Sequence, residues 1–533
     1  MNASSVDNNR RNLKIAAELV GLGLILALAA YLRGTNLANN PGWYSDEGTL
    51  VDIARHLAAG HWQYQALNQS VLIAARPPLF LLLLSGLFQF FHPDITTLRS
   101  FTATLGVLSV FLVYLLVRFI NGGKRPSLAL LSALLLSIYP QAVLYSRIGF
   151  SYNLLAPLAL SACLGLWGYL ETRRGIWLAI ASLSIGLGMV SDLMMIAFVI
   201  PALLVISVRG WRGLLVGIVL MALPLGVYSL WMSSTVPGAF WFDLQFTLTR
   251  LRALPWMAQF PAVLLNYYYL LSRDVWFLAG ILGMFMASPI RWRWMLLAMF
   301  LLPLIFLGRS TGFASGLEVY YLIALFPLVA IGAAVLVWNA IPYVLRTVQG
   351  ALESLLRSWG WKETRGRWWV SRLAAFVGSL SLFLIVISPL LLSTMLTVSD
   401  IRGSMVTRID PVLVNASDGR LVIDYINHNV QPEDLVVASP AVAWAILAHS
   451  ADFQQSLAAQ GIATRHFPAD IPADRFAFNP DYQRARYVVI DRIWRNWAAL
   501  NMPEVAQMMA EVERWPMEFS AGEIQVYRNP KLQ

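Results

Sequence analysis

"PPLFLLLLSGLFQFF", residues 77–91, is the stretch on which the arrangement of this chain turns. As a helix its fifteen residues extend about 22 Å, whereas the hydrocarbon core of a bilayer is about 30 Å thick. Charge decides how it is placed. If 77–91 does not cross, the basic loops all fall on one side: Arg10, Arg11 and Lys14; Arg118, Lys124 and Arg125; Arg173 and Arg174; Arg209 and Arg212; Arg291 and Arg293; then Arg346, Arg357, Lys362, Arg365 and Arg367. The positive-inside rule makes that side cytoplasmic. If 77–91 crossed, every later loop would flip and most of these charges would lie outside. The segment therefore reads as a helix at, or dipping into, the outer interface.

The surrounding chain demands a bilayer. It has 533 residues, of which 58% are hydrophobic and 13% charged; soluble domains carry about 25% charged residues. Candidate spans are 15–32, 100–119, 127–145, 153–170, 176–191, 193–208, 213–232, 275–290, 294–308, 319–340 and 373–397. The expected fold is a mainly α-helical polytopic membrane protein of about eleven spans plus juxtamembrane helices. Residues 1–397 form the membrane part, and 398–533 a small α/β domain on the extracytoplasmic side. The opening "MNASSVDNNRRNLK" leads into a retained first span, since no small-residue cleavage site follows. That places the N-terminus in the cytoplasm and the chain in the plasma (inner) membrane. The net charge of +10 sits in short loops, which suits orientation and argues against a nucleic-acid partner. The single cysteine, Cys163, lies within an apolar run, so there is neither a disulfide framework nor a Cys-based metal site.

After residue 410 the pattern alternates. "DGRLVIDYINHNV", "AVAWAILAHS", "FQQSLAAQG" and "PEVAQMMAEVERW" read as helices; "EDLVVAS", "ARYVVID" and "EIQVYRNP" read as strands. No phosphate-binding Gly-rich loop or nucleophile elbow occurs there.

This topology gathers the polar span ends on one face: 33–99, 145–153, Asp192, 233–274, 309–320 and the tail. Charges at a membrane edge are expensive and point to function. Foremost is "WYSDEGTLV" (43–51), with Asp46 and Glu47 adjacent at the start of an amphipathic helix over 46–59. Its apolar face is Leu50, Ile53, Ala54 and Leu57. Locally, the two acids suit a helix N-terminus, where negative charge is favoured. Asp52 and His56 read as a solvated i, i+4 contact. The segment 233–274 reads as an amphipathic helix on the outer surface.

Taken together, Asp46-Glu47, Arg76-Pro77-Pro78-Leu79, Arg99, the basic turn Arg118–Arg125, Tyr145-Ser146-Arg147 and the later "YYLIALFPLVAIGAA" (320–334) resemble, in order and topology, a known family. It is the GT-C class of glycosyltransferases that use lipid-linked sugars, specifically the protein O-mannosyltransferase and lipid A aminoarabinose transferase-like family. The chain departs from that pattern in two places. Tyr152 and Asn153 stand where members often have an acid, and Tyr320-Tyr321 lack a preceding basic residue.

The resemblance implies an inverting transferase that moves a sugar from a polyprenyl phosphate to a hydroxyl or amine on the outer face. The leaving group is already a phosphate, so charge stabilisation matters and a general acid does not. One carboxylate near the acceptor can take its proton. Asp46 is the expected base; Glu47 orients the acceptor, holds a cation or caps the helix. Phosphate calls for guanidinium, with Arg147 first, Arg99 and Arg76 next, then Arg309. Tyr145, Tyr152, Asn153, Asp192, Tyr320 and Tyr321 complete the expected substrate-binding set. The lipid-linked sugar is the donor and a divalent cation is a possible cofactor. Membrane lipids and a protein, lipid or polysaccharide acceptor of the bacterial cell envelope are the other partners. A rival reading is a non-catalytic GT-C-like subunit that binds lipid or scaffolds a complex. A transporter is disfavoured, because the halves show no repeat and no broken midplane helices.

Overall fold

The computed structural model describes residues 3–69, 77–252, 256–307, 319–358, 392–403 and 412–532, with scattered residues between 373 and 388. Helix α1 (Ala3–Gly34) ends at a turn that leads to α2 (Ser45–Ala58), a hairpin of β1 (Gln63–Tyr64) and β2 (Leu67–Asn68), and the short α3 (Leu79–Phe88). There follow α4 (Ile95–Ile120), α5 (Pro126–Ile138), α6 (Pro140–Ser146), α7 (Leu155–Thr172), α8 (Gly175–Ser191), α9 (Val199–Ser207) and α10 (Trp211–Thr235). Next come α11 (Pro237–Arg252), α12 (Trp256–Arg273), α13 (Val275–Phe285), α14 (Ile290–Leu307) and α15 (Phe326–Ser358).

Among the described residues, six helices are long and apolar enough to cross a membrane; α5 and α6, bent by 59° at Tyr139, make a seventh. Several of the expected eleven spans are shorter as helices than the apolar stretches that suggest them. Segment 176–191 yields a helix of 17 residues. Segment 193–208 opens as a 3-10 turn, Leu193–Phe198, before nine residues of α9. Segment 275–290 stops at Phe285, ahead of Pro289, whose ring disfavours helix in the residue before it. Most of 373–397 lies outside the described residues.

Helix α3 is ten residues long, about 15 Å and half of what a crossing needs. It buries Phe80, Leu81, Leu84 and Phe88, leaving Leu82, Leu83, Phe90 and Phe91 exposed. The helices then alternate in direction. Arg99 near the start of α4, Arg147 after α6, Ser151 before α7 and Asp192 after α8 gather at one end, as the Ser151–Asp192 contact of 3.5 Å shows. Arg118 and the Arg173-Arg174 turn lie at the opposite end. Of the expected helix over 233–274, the described residues form α11 and α12.

At the Arg99 end the chain resumes with α16 (Ala416–Asn429) and a five-stranded sheet. Its strands are β3 (Leu435–Val437), β4 (His449–Ala451), β5 (Tyr487–Ile490), β6 (Met517–Ala521) and β7 (Ile524–Arg528), in the order β4-β3-β5-β7-β6. The first three are parallel, and β7 and β6 run antiparallel. The expected helix "AVAWAILAHS" is helical only over Pro440–Ala443. His449–Ala451 pairs instead with β3, so long-range pairing overrides local propensity there. β6 was not expected at all.

This sheet region docks tightly on α2. Trp43 bridges Val414, Leu67 bridges Phe476, and Arg55 Nη1 donates to the Trp444 carbonyl at 3.0 Å. Gly48 faces Pro440 so closely that a β-carbon would overlap the Pro440 carbonyl. Gly48→Ala is therefore expected to lower the melting temperature, as overpacking costs typically about 1–3 kcal/mol. Limited proteolysis should then release 412–532 more readily.

A second clamp joins Arg475 to Asp243 on α11, 3.4 Å apart and both buried. Burial pushes the Asp243 carboxyl up to about 7, against the pull of Arg475. A carboxyl whose folded pKa is raised favours the protonated folded state. Its contribution is best below the unfolded pKa near 4 and is lost as pH rises to about 7. Asp243→Asn should flatten the pH dependence of the melting temperature between pH 4 and 7; an unchanged profile would show that Asp243 titrates elsewhere.

Candidate active site

The site begins at the α2 N-terminus, where Glu47 is fully buried. Its carboxylate accepts from the Tyr44 amide at 2.9 Å, Arg99 Nε at 2.7 Å, Arg99 Nη2 at 2.6 Å and the Gly149 amide at 2.7 Å. A carboxylate offers about four acceptor sites, so Glu47 is saturated. Arg99, also fully buried, donates as well to the Leu37 and Gly42 carbonyls. One ion pair thus ties together α2, the 37–42 turn, α4 and the turn after Arg147. Of the roles expected for Glu47, capping is present through Tyr44, together with an ion pair that sequence reading did not find. Fully buried, Arg99 presents no accessible donor to a substrate phosphate.

Asp46 precedes Glu47 by one residue and is only half-buried. Its charge acts on the Tyr64 and Tyr320 hydroxyls, which places it between the β1–β2 hairpin and an aromatic shelf. In that shelf Tyr320 stacks on Phe150 (4.8 Å between centroids) and on Tyr152 (5.5 Å). Tyr44 meets Phe150 at 5.0 Å, and Tyr321 meets Tyr152 at 5.3 Å. The expected residues Tyr152, Tyr320 and Tyr321 are brought together beside the acid. Phe150 and Tyr44 complete the shelf and were missed, although Tyr44 stands two places before Asp46.

Comparison with known proteins bears on this arrangement. The family model described as dolichyl-phosphate-mannose-protein mannosyltransferase matches residues 75–237. ArnT from Cupriavidus metallidurans bound to undecaprenyl phosphate superposes with a TM-score of 0.59 at 16% identity, over 96% of this chain and 97% of that one. Its apo state gives 0.56 at 16% identity, over 98% of each chain. The chain shares the fold of ArnT. The Archaeoglobus fulgidus oligosaccharyltransferase tethered with an acceptor peptide gives 0.50 at 14% identity, over 92% of this chain and 72% of that one. No curated protein matches the sequence.

Within this fold the other expected residues take varied positions. Asn153 is buried, and its amide donates to the Tyr145, Ile148 and Phe150 carbonyls at 3.0, 3.1 and 3.2 Å; it staples the turn that carries Gly149. Tyr145 is buried against Phe150 and Phe326. Asp192 caps the 3-10 turn by accepting from the Met194 amide at 3.0 Å. Arg147 is buried and points to the end of α1, donating to the Leu32 and Arg33 carbonyls and to Asn40. It lines a cleft that does not include Asp46. Arg76 and Arg309 lie outside the described residues.

Asp52 is buried, not solvated. It accepts from Arg55 at 2.7 Å and from the Gln65 amide at 2.8 Å, because the hairpin folds over it. Among the described residues no group of three His, Cys, Asp or Glu side chains is placed to hold a metal ion, and the saturated Glu47 has no lone pair to offer one.

Proposed function

We propose that this chain is an inverting glycosyltransferase. It moves a sugar from a polyprenyl-phosphate donor to a hydroxyl or amine acceptor on the extracytoplasmic face of a bacterial inner membrane. The observation that carries this reading is the division of labour between adjacent acids: Glu47 is locked in place by Arg99, while Asp46 on the same turn reaches beyond the buried core. A base must be held rigidly yet remain accessible, and this pair meets both needs. The family match over 75–237 and the fold of an ArnT bound to undecaprenyl phosphate support a lipid-phosphate donor.

In the proposed step Asp46 takes the acceptor proton as the acceptor oxygen or nitrogen bonds to the anomeric carbon. The bond from that carbon to the phosphate oxygen breaks, and its electron pair leaves with the polyprenyl phosphate. A single displacement inverts the centre. Tyr152, Tyr320 and Tyr321 offer a surface on which a sugar ring can stack. Since Arg99 and Arg147 are committed to protein acceptors, Arg76 and Arg309 are the remaining guanidinium candidates for the phosphate. Residues 1–397 carry the reaction, and 398–533 cover its outer face and help hold the acceptor.

One observation favours a second reading, a non-catalytic lipid-binding or scaffolding subunit. The rings of Tyr44, Phe150, Tyr152, Tyr320 and Tyr321 contact one another and fill space beside Asp46. The experiment is transfer from a panel of polyprenyl-phosphate sugars by the reconstituted full chain, scored as release of polyprenyl phosphate with a labelled acceptor. Turnover with one donor supports the enzyme; tight lipid binding without turnover on any donor supports the subunit.

A further inference from the structure

The end of the molecule opposite Asp46 carries an excess of positive charge. Three segments meet there: 117–128, from the last turn of α4 into α5; 286–294, from the turn after α13 into α14; and 331–340 in α15. Their basic residues are Arg118, Lys124, Arg125, Arg291 and Arg293, and none of the three segments holds an Asp or Glu. Glu18 on α1 pairs with Arg118 at 2.6 Å and leaves the other four unbalanced. Arg125 is exposed, and among the described residues its guanidinium has neither a hydrogen bond nor an ion pair. It stands at the start of α5, a helix of 13 residues whose first amides receive no side-chain cap. The unsatisfied N–H groups of a helix start favour an anion.

Arg125 lines a narrow cleft between these segments, together with Asn121, Ser288, Asn339, Trp292 and Val335. The rim is polar and has bonding capacity to spare. Among the described residues, Ser288 and Asn339 make no side-chain hydrogen bond, and Asn121 bonds only through its amide nitrogen, to the Val117 carbonyl at 2.8 Å. The floor is apolar, with Trp292 and Val335 buried. Met286 and Ile290 flank Ser288 and are exposed, and Ile290 begins the spanning helix α14. Apolar side chains exposed at the edge of a span face lipid. The cleft therefore opens at the depth of phospholipid headgroups, at the end that the positive-inside rule assigns to the cytoplasm.

We propose that this cleft binds the headgroup of an anionic phospholipid of the phosphatidylglycerol kind. Arg125 and the first amides of α5 take the phosphate, while Asn121, Ser288 and Asn339 bond the glycerol hydroxyls. A guanidinium matches a phosphate diester in charge and in geometry. A glycerol headgroup adds hydroxyls and no further charge. An ethanolamine headgroup would instead bring an ammonium to a rim whose segments hold no carboxylate. Basic pockets between spanning helices suit anionic headgroups for this reason. The bound lipid bridges the α4–α5 turn to the turn before α14. The site is separate from Asp46 and does not depend on the transfer reaction.

The test is thermal unfolding of the delipidated full chain in detergent, titrated with short-chain phosphatidylglycerol, short-chain phosphatidylethanolamine or inorganic phosphate. The melting temperature should rise by a few degrees with phosphatidylglycerol, as for any ligand that binds only the folded state, and much less with the other two. Arg125→Gln changes an exposed side chain and should fold. It should need at least about tenfold more phosphatidylglycerol for the same rise, as expected for loss of a hydrogen bond from a charged donor. Arg174→Gln, which removes an exposed arginine at the same end but outside the cleft, should keep the wild-type response. Equal rises from the two lipids, an equal rise from phosphate, or an unchanged response in Arg125→Gln would each overturn the assignment. So would an equal loss in Arg174→Gln, which would show attraction to the whole basic face and no particular site.

Discussion

Asp46→Asn is expected to lower the rate of sugar transfer at least about a hundredfold, the lower end of what a positioned general base contributes. A hundredfold corresponds to about 2.7 kcal/mol of transition-state stabilisation. The substitution is nearly isosteric, and Asp46 is half-buried on the first turn of α2. Loss of a negative charge at a helix N-terminus costs only about 0.3–1 kcal/mol, so the melting temperature should hardly move. The two readings of Asp46 thus separate cleanly. A base loses turnover and keeps stability; a capping charge loses a little stability and keeps turnover. Transfer by Asp46→Asn at the wild-type rate would remove Asp46 from the chemistry. Binding of donor should survive in the variant, since nothing in the proposed step has Asp46 touching the phosphate.

Much of this neighbourhood is legible in the sequence because it depends on local periodicity and length. The acids before Leu50, Ile53 and Ala54 mark a helix start, and α2 begins at Ser45 with Leu50, Ile53 and Ala54 buried. Fifteen apolar residues after Arg76 are too few to cross, and the ten-residue α3 follows from the same arithmetic. What stays hidden is contact between distant residues. Glu47 and Arg99 are 52 positions apart, and nothing in either segment announces the other. Each reads alone as a surface charge suited to substrate. Asn153 shows the same difficulty, since a polar residue near a membrane edge looks available until its three carbonyl partners are seen. The ends of short spans such as 275–290 are equally hard to read, since hydropathy runs on to 290 where the helix ends at Phe285. β4 was missed because its pairing with β3 comes from the tertiary fold, not from its own three residues.

The buried Glu47–Arg99 pair carries the second large expectation. Glu47→Ala leaves the Arg99 guanidinium fully buried with only the Leu37 and Gly42 carbonyls as partners. Removing one member of a buried pair typically costs about 3–5 kcal/mol, because the remaining charge is stranded away from water. The variant should therefore unfold at markedly lower temperature in detergent. The double variant Glu47→Gln/Arg99→Met removes both charges and should recover part of that loss, since an apolar or neutral replacement of both partners is often tolerated. Recovery would measure the coupling directly, whereas additive losses would mean that the two side chains act independently. The same double variant also probes catalysis. Glu47 accepts from the Tyr44 and Gly149 amides as well as from Arg99, so it aligns α2 with the turn beside the aromatic shelf. A double variant that folds but transfers sugar slowly would identify the pair as what holds Asp46 in register. One that folds and transfers normally would leave the pair with a role in stability alone.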